Sequence, residues 1–197
     1  MATALAFGLD TFGDITVGAD DRPLSSAQVL RDVIEEATLA DELGIEAFGV
    51  GEHHRPDFAI SAPEVVLGAI AGRTKRILLG SAVTVLSTDD PVRLFERFSS
   101  LNAASSGRAE ARLGRGSFTE SFPLFGFELS QYEELFEEKL DLFAALIRND
   151  KITWSGHTRP PLSDQRVFPP LEDGSLKAWV GIGGQPRSAP MRSRIAL

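Results

Sequence analysis

The sequence predicts an α/β fold built on a parallel sheet. Three observations lead there. Short β-like runs alternate with amphipathic helical runs along 197 residues. The third β-like run is almost continuously apolar, as a strand covered on both faces is. Polar and glycine residues collect directly after the strands, at the ends where α/β folds bind ligands. Such repetition gives parallel strands joined by right-handed crossovers. By itself the pattern fits either a doubly wound open sheet or part of a (β/α)8 barrel, and a whole barrel needs about 250 residues.

Each element has its own signal. "LAFGL" (Leu5–Leu9) opens as a strand and runs into a polar, Gly/Asp-rich loop. "SSAQVLRDVIEEATLADELG" reads as a helix: Ser25 and Gln28 match a capping box, Leu30, Val33, Ile34, Ala37 and Leu43 recur at helical spacing, and Gly44 is the stop. "EAFGVGEHH" is the second strand, with Phe48 and Val50 on one face and Gly49 and Gly51 on the other. "SAPEVVLGAIAGRT" is a helix with Pro63 in its first turn, where a missing N–H costs least. "RILLGSAVTVL" (Arg76–Leu86) is the third strand, and Asp90 caps a helix that begins at Pro91 and buries Val92, Phe95, Phe98 and Leu101. "GRAEARLGRG" (Gly107–Gly116) is a weaker fourth strand. A loop leads to the helix "SQYEELFEEKLDLFAALIRND", with a capping-box pattern at Ser130 and Glu133 and a stripe through Tyr132, Leu135, Phe136, Leu140, Phe143 and Ile147. "KITWSGHTRPPL" reads as an inserted strand or hairpin, and "KAWVGIGG" (Lys177–Gly184) as the fifth strand.

Composition narrows the function classes. The chain has no cysteine, which excludes disulfides, thiolate metal sites and a cysteine nucleophile, and fits a reducing cytoplasm. A net charge of −8 opposes binding to a phosphate backbone, so no nucleic-acid partner is expected. No apolar run approaches the roughly 20 residues that cross a bilayer, and the N-terminus lacks the basic region of a signal peptide. The expected location is the cytoplasm, without a membrane partner.

Candidate site residues come from the loops that follow the strands. "GEHH" holds two of the three histidines. Adjacent strand residues point to opposite faces, so His53 and His54 are poorly placed to share an ion, and no metal ligand is assigned. One histidine either packs at the strand end or lines a pocket. Parity favours His53 for the pocket, because it continues the Gly49/Gly51 face, and imidazole donates, accepts or shuttles a proton near neutral pH. "LGRGSF" sets Arg115 between glycines, where backbone comes close to an anion and guanidinium offers a fork to a phosphate. "GIGGQPRS" supplies Gly183 and Gly184 at another turn of that kind. Both turns are equally compatible with ordinary loop chemistry, and neither is a full G-x-G-x-x-G. Asp89 and Asp90 read as helix caps rather than as a catalytic pair, and Glu133, Glu134, Glu137 and Glu138 as solvated surface.

Taken in order, "GVGEHH", "LGSAVTVLSTDDPVRLFE", "SSGRAEARLGRGSF" and "WVGIGG" resemble the bacterial luciferase-like family of flavin-dependent monooxygenases, from about residue 5 to Gly184. The resemblance implies a (β/α)8 TIM-barrel type of α/β fold, here incomplete with about five β/α units. It implies reduced FMN bound at the carboxyl ends of the strands and used with O2 on a small organic substrate, with a separate flavin reductase as supplier and a homo-oligomeric assembly. It places His53 beside the flavin as the catalytic residue and a non-prolyl cis peptide at Ala82–Val83 on the flavin face. Arg115, Gly183 and Gly184 would hold the phosphate. The position where some members carry a reactive cysteine is Gly114. A deazaflavin with hydride transfer is the alternative cofactor, and a non-catalytic half-barrel that pairs through its strand edges is the alternative function.

The resemblance divides the chain into a barrel portion, residues 1–184, and a divergent tail, residues 185–197, which reads "QPRSAPMRSRIAL" as a truncation or frame change would leave it. A five-stranded piece is expected to have two open edges and an uncovered apolar interior, and so to bind flavin weakly or not at all.

Overall fold

The computed structural model describes residues 6–172 and 174–181. In chain order its elements are β1 (Gly8–Thr11), α1 (Ser26–Glu42), β2 (Ala47–Val50), α2 (Pro63–Ala71), β3 (Leu78–Ser81), β4 (Thr84–Val85), α3 (Pro91–Ala104), β5 (Ala109–Gly114), α4 (Ser121–Phe125), α5 (Tyr132–Arg148), β6 (Ile152–Trp154), β7 (Leu162–Gln165) and β8 (Lys177–Val180). All pairings in the main sheet are parallel. β3 and β4 lie along one side of β5 and β8 along the other, so the strands run β1, β2, β3/β4, β5, β8 across an open arc. β6 and β7 form a separate antiparallel hairpin, the expected insertion.

The third strand is broken in two, because the chain leaves extended pairing at the Ala82–Val83 cis peptide between β3 and β4. The fourth strand, expected to be weak, is the longest and sits between two neighbours. Its alternate residues Ala109, Ala111 and Leu113 are small or apolar and pack against the helices, which outweighs the charges between them.

Helices cover one face of the arc. Phe48, Val50, Leu79, Ala111 and Leu113 from the sheet meet Val33 and Ala37 of α1, Leu67 and Ile70 of α2, Leu94 and Phe98 of α3, and Leu140 and Phe143 of α5. Each such large side chain contributes roughly 1.5–3 kcal/mol on burial. Leu43 departs from the expected stripe: it is 73% exposed, because the last turn of α1 runs beside β1 at the sheet edge.

Caps follow the sequence in part. Ser25 accepts the Gln28 N–H, but the Gln28 side chain turns to Asp32 at 2.7 Å, so only half of the capping box forms. Asp90 caps α3 through the N–H groups of Val92 and Arg93. The Ser130/Glu133 box does not form. The reciprocal pair is Glu128 and Gln131, around a 3-10 turn, Leu129–Gln131, that leads directly into α5.

Asp41 ties α1 to β3. Its buried carboxylate accepts the backbone N–H groups of Lys75, Arg76 and Ile77 at 3.0, 2.9 and 2.7 Å. Burial works to raise its pKa, and the three donors together with Arg76 outweigh it and hold the carboxyl below its usual range. This contribution to stability is complete above the ordinary carboxylate range and is lost as pH falls through the lowered value. Asp41→Ala strands three donors and is expected to cost about 2 kcal/mol in urea unfolding at pH 7.

The concave face differs in part from the expected apolar interior, because its middle is charged. Register aligns Asp10, Gly49, Gly80, Glu110 and Lys177 in one row across the arc. Arg112 reaches Asp10 at 3.1 Å and Glu110 at 3.5 Å, and Lys177 reaches Glu110 at 3.5 Å. The glycines leave room for this network. A Cβ at Gly49 would fall 2.0 Å from Asp10 Oδ1, and one at Gly80 would fall 2.8 Å from Arg112 Nε. Paired charge over bare backbone lines the middle of this face, while Trp179, two residues on from Lys177 and 56% exposed, leaves an apolar side chain open at its edge.

Candidate functional site

The carboxyl ends of β1, β2, β4 and β5 point to one edge, and the loops that leave them enclose a cleft of about 540 Å³. Phe12 and Asp14 come from the first loop, Glu52, His53, His54 and Phe58 from the second, Ala82, Val83 and Val85 from the third, and Gly116–Phe118, Glu120 and Ser121 from the fourth. The first two loops are stitched together by backbone bonds, Ile15 N–H to Asp57 O at 2.9 Å and Ala59 N–H to Gly13 O at 2.8 Å. Gly13 is required there: its φ is +66°, and a Cβ would lie 2.7 Å from Ile60 Cγ1.

His53 stands in this cleft. Its backbone N–H donates to Ile60 O at 2.9 Å, which fixes the turn. Its ring stacks on Phe58, with centroids 4.3 Å apart, and takes the edges of Phe12 at 4.9 Å and Phe118 at 5.1 Å. Burial, then the nearby Arg55 charge, lowers its pKa below the ordinary histidine value, while Asp14, Asp57 and Glu120 pull the other way. The imidazole is therefore neutral at pH 7, with one nitrogen to donate and one to accept.

His54 also lines the cleft, because the chain has left β2 at Val50 and strand parity no longer sends the two side chains to opposite faces, but its ring contacts differ from those of His53. Its Nε2 lies 2.8 Å from Glu52 Oε1, and its ring meets the edge of Phe125. The other Glu52 oxygen accepts the Val85 N–H at 2.8 Å, and the Glu52 N–H donates to Val83 O at 3.3 Å. Glu52 thus joins the second loop to the wall formed by Ala82, Val83 and Val85. Ala82 and Val83 line the cleft, and the peptide between them is cis, as the resemblance implies.

The remaining expected site residues are placed differently. Arg115 does not line the cleft. Its Nη2 lies 3.2 Å from Glu133 Oε2, and its guanidinium sits over the Phe136 ring at 4.9 Å. The Arg115 side chain leaves the end of β5 toward α5, on the far side of the loop from His53. Gly183 and Gly184 lie outside the described residues.

Sequence reasoning missed the aromatic wall. Phe12, Phe58 and Phe118 come from three loops and converge on His53. The signal was present: each is a lone aromatic in an otherwise polar loop, in "DTFGD", "RPDFA" and "GSFTE".

The cleft suits the ring system of a flavin. Its lining combines the rings of Phe12, Phe58 and Phe118 with the aliphatic side chains of Ala82, Val83 and Val85, and the imidazole of His53 is stacked within the aromatic cluster. Among the described residues, no lysine or arginine lines it.

Gly114 shapes the same wall. A Cβ there would lie 2.5 Å from Val83 Cγ2. Gly114→Ala is expected to push Val83 toward the cleft and to cost about 1–2 kcal/mol in urea unfolding.

A parallel α/β arc with an aromatic, histidine-bearing cleft at its carboxyl edge defines an open (β/α)8-type barrel whose site lies where such barrels place chemistry. Residues 11–197 match the model of the luciferase-like monooxygenases, and the chain belongs to that family. It is 33% identical over 129 residues to N-acetyl-S-alkylcysteine monooxygenase of Bacillus subtilis, which covers 64% of this chain and 39% of the relative. Its fold matches the oxygenating constituent of 3,6-diketocamphane monooxygenase of Pseudomonas putida, a type II Baeyer–Villiger enzyme solved with FMN. The TM-score is 0.74 at 21% identity, over 90% of this chain and 51% of the other. It also matches an F420-dependent secondary alcohol dehydrogenase solved with an F420–acetone adduct, with a TM-score of 0.73 at 18% identity, over 95% and 55%. The chain spans about half the length of these structures, and less of the B. subtilis relative.

Proposed function

We propose that this chain carries the flavin-facing part of a flavin-dependent oxidoreductase that acts with O2 on a small organic substrate. The observation that supports the reading most is the convergence of Phe12, His53, Phe58 and Phe118 with Ala82 and Val83 in one cleft.

Reduced FMN, when bound, supplies the electrons that let O2 oxidise the substrate. The chain's own residues do the rest. The aliphatic wall and the phenylalanines exclude water and hold a flat ring. Neutral His53 accepts a proton at its free ring nitrogen or donates one from the other, and its stack on Phe58 keeps it in place. Glu52 keeps the wall in register through the Val85 N–H. For Arg115 to take a phosphate, its guanidinium would exchange Glu133 for the ligand. The fold shared with the F420-dependent dehydrogenase supports a deazaflavin as second candidate, since the ring would meet the same walls.

FMN and a deazaflavin are to be titrated into the chain and followed by cofactor fluorescence anisotropy. Saturable binding that Phe118→Ala weakens is the expected result, and the tighter of the two identifies the cofactor. Anisotropy that stays flat for both removes the reading.

A further inference from the structure

The charge of the cleft goes beyond this reading and bears on its substrate. Among the lining residues Asp14, Glu52 and Glu120 are carboxylates, and none is lysine or arginine. Glu52 is engaged by His54 and by the Val85 N–H. Asp14 is exposed and makes no ion pair among the described residues. Glu120 gives Oε1 to Arg55 at 3.1 Å, while Oε2 is buried without a hydrogen-bond partner. Arg55, the nearest cation, is already shared between Asp57 and Glu120 and covers the Phe118 ring at 4.6 Å. Its single charge is outnumbered by the two carboxylates that hold it. The surface left for a ligand is aromatic: Phe12 and Phe118 remain 42% and 40% exposed.

We infer that the cleft takes an apolar, aromatic or alkyl substrate that carries no anionic group, and that Asp14 and Glu120 are the residues that reject anions. The inference rests on the proposal that this cleft is the substrate and cofactor site. A carboxylate, sulfonate or phosphate entering beside His53 would meet Asp14, which has no ion pair among the described residues, and Glu120, which shares one cation with Asp57, across a partly dehydrated space where Coulomb terms are large. A neutral ligand avoids that repulsion and keeps its contact with the rings. A protonated amine gains from both the carboxylates and the ring faces. Glu120 Oε2 in addition offers a hydrogen-bond acceptor to an amide or ammonium N–H.

Calorimetric titration of the flavin-free chain with 3-phenylpropionamide, 3-phenylpropylamine and 3-phenylpropionate tests this, since the three differ chiefly in charge. The amide and the ammonium are expected to bind, and the carboxylate to bind at least about tenfold more weakly. The Asp14→Asn/Glu120→Gln double variant is expected to bring the carboxylate within about threefold of the amide. Asp14→Asn alone, at an exposed position, is expected to narrow the gap in the same direction and serves if the double variant does not fold. A carboxylate that binds the parent as tightly as the amide overturns the inference, as does a gap that neither variant changes. Flavin titration of the same preparation separates the two readings. Flavin binding together with tolerance of anions overturns only the charge filter, and failure of flavin and all three probes overturns both.

Discussion

Replacing His53 by alanine is expected to lower the rate of reduced-flavin-dependent oxidation by about 10²–10⁴-fold, the range for loss of a positioned proton-transfer group. Flavin affinity is expected to change by less than about tenfold, because the walls of the cleft remain. The geometry argues for this division. The imidazole is held by its stack on Phe58, while the backbone N–H of His53 donates to the Ile60 carbonyl, and neither ring nitrogen makes a hydrogen bond among the described residues. The pH profile supplies a second readout. Burial lowers the His53 pKa, so the neutral form persists to more acid pH than for a free histidine. The acid limb of the rate is then expected below about pH 6.5. Arg55→Gln, which removes a cation that lowers this pKa, is expected to move that limb upward. A His53→Ala rate within about threefold of the parent, or an acid limb that does not move, sinks the assignment.

Most of the fold was legible because burial is periodic. The apolar residues Phe48 and Val50, Leu79, and Ala111 and Leu113 alternate with glycines or charges, and that alternation set both the strands and the face that meets the helices. What was not legible depended on contacts distant in sequence. Arg115 lies between glycines, which suggested an anion loop, and nothing local shows that Glu133 and Phe136 lie across from it. The concave face illustrates the same limit from the other side. Asp10, Glu110, Arg112 and Lys177 look like surface charges along the sequence, and only the strand register shows that they neutralise one another over Gly49 and Gly80. At the site, strand parity pointed to His53, but both histidines lie past the end of β2 and both line the cleft. The three phenylalanines that enclose His53 carry no spacing pattern, because they come from three different loops.

Lys139 gives the largest expected effect on stability. It lies on the inward face of α5, 3% exposed. Its Nζ donates to Ser87 O at 2.6 Å and lies 4.0 Å from the Phe127 ring centroid. Burial lowers its pKa to about 8, against the pull of Asp89 and Asp90. An unfolded lysine titrates near 10.4. Between about pH 8 and 10.4 the unfolded chain therefore holds a proton that the folded chain has released. Stability rises with pH across that window, by up to about 3 kcal/mol from this group, and below pH 8 the cost of burying the charge is carried in full. Lys139→Met removes the charge and keeps most of the volume, so its stability should lack this rise. Urea unfolding of both proteins at pH 7 and pH 10 isolates the effect, because Tyr132 and the surface lysines are common to the two. A parent that gains no more than the variant between these pH values refutes it. The contact also bears on function. Ser87 belongs to the turn that follows Val85, so Lys139 supports from behind the wall that Glu52 holds from the front. The neutral amine still donates an N–H, so the wall should keep its position as the lysine loses its proton. Activity above pH 8 is then expected to follow the chemistry of the cleft rather than the titration of Lys139.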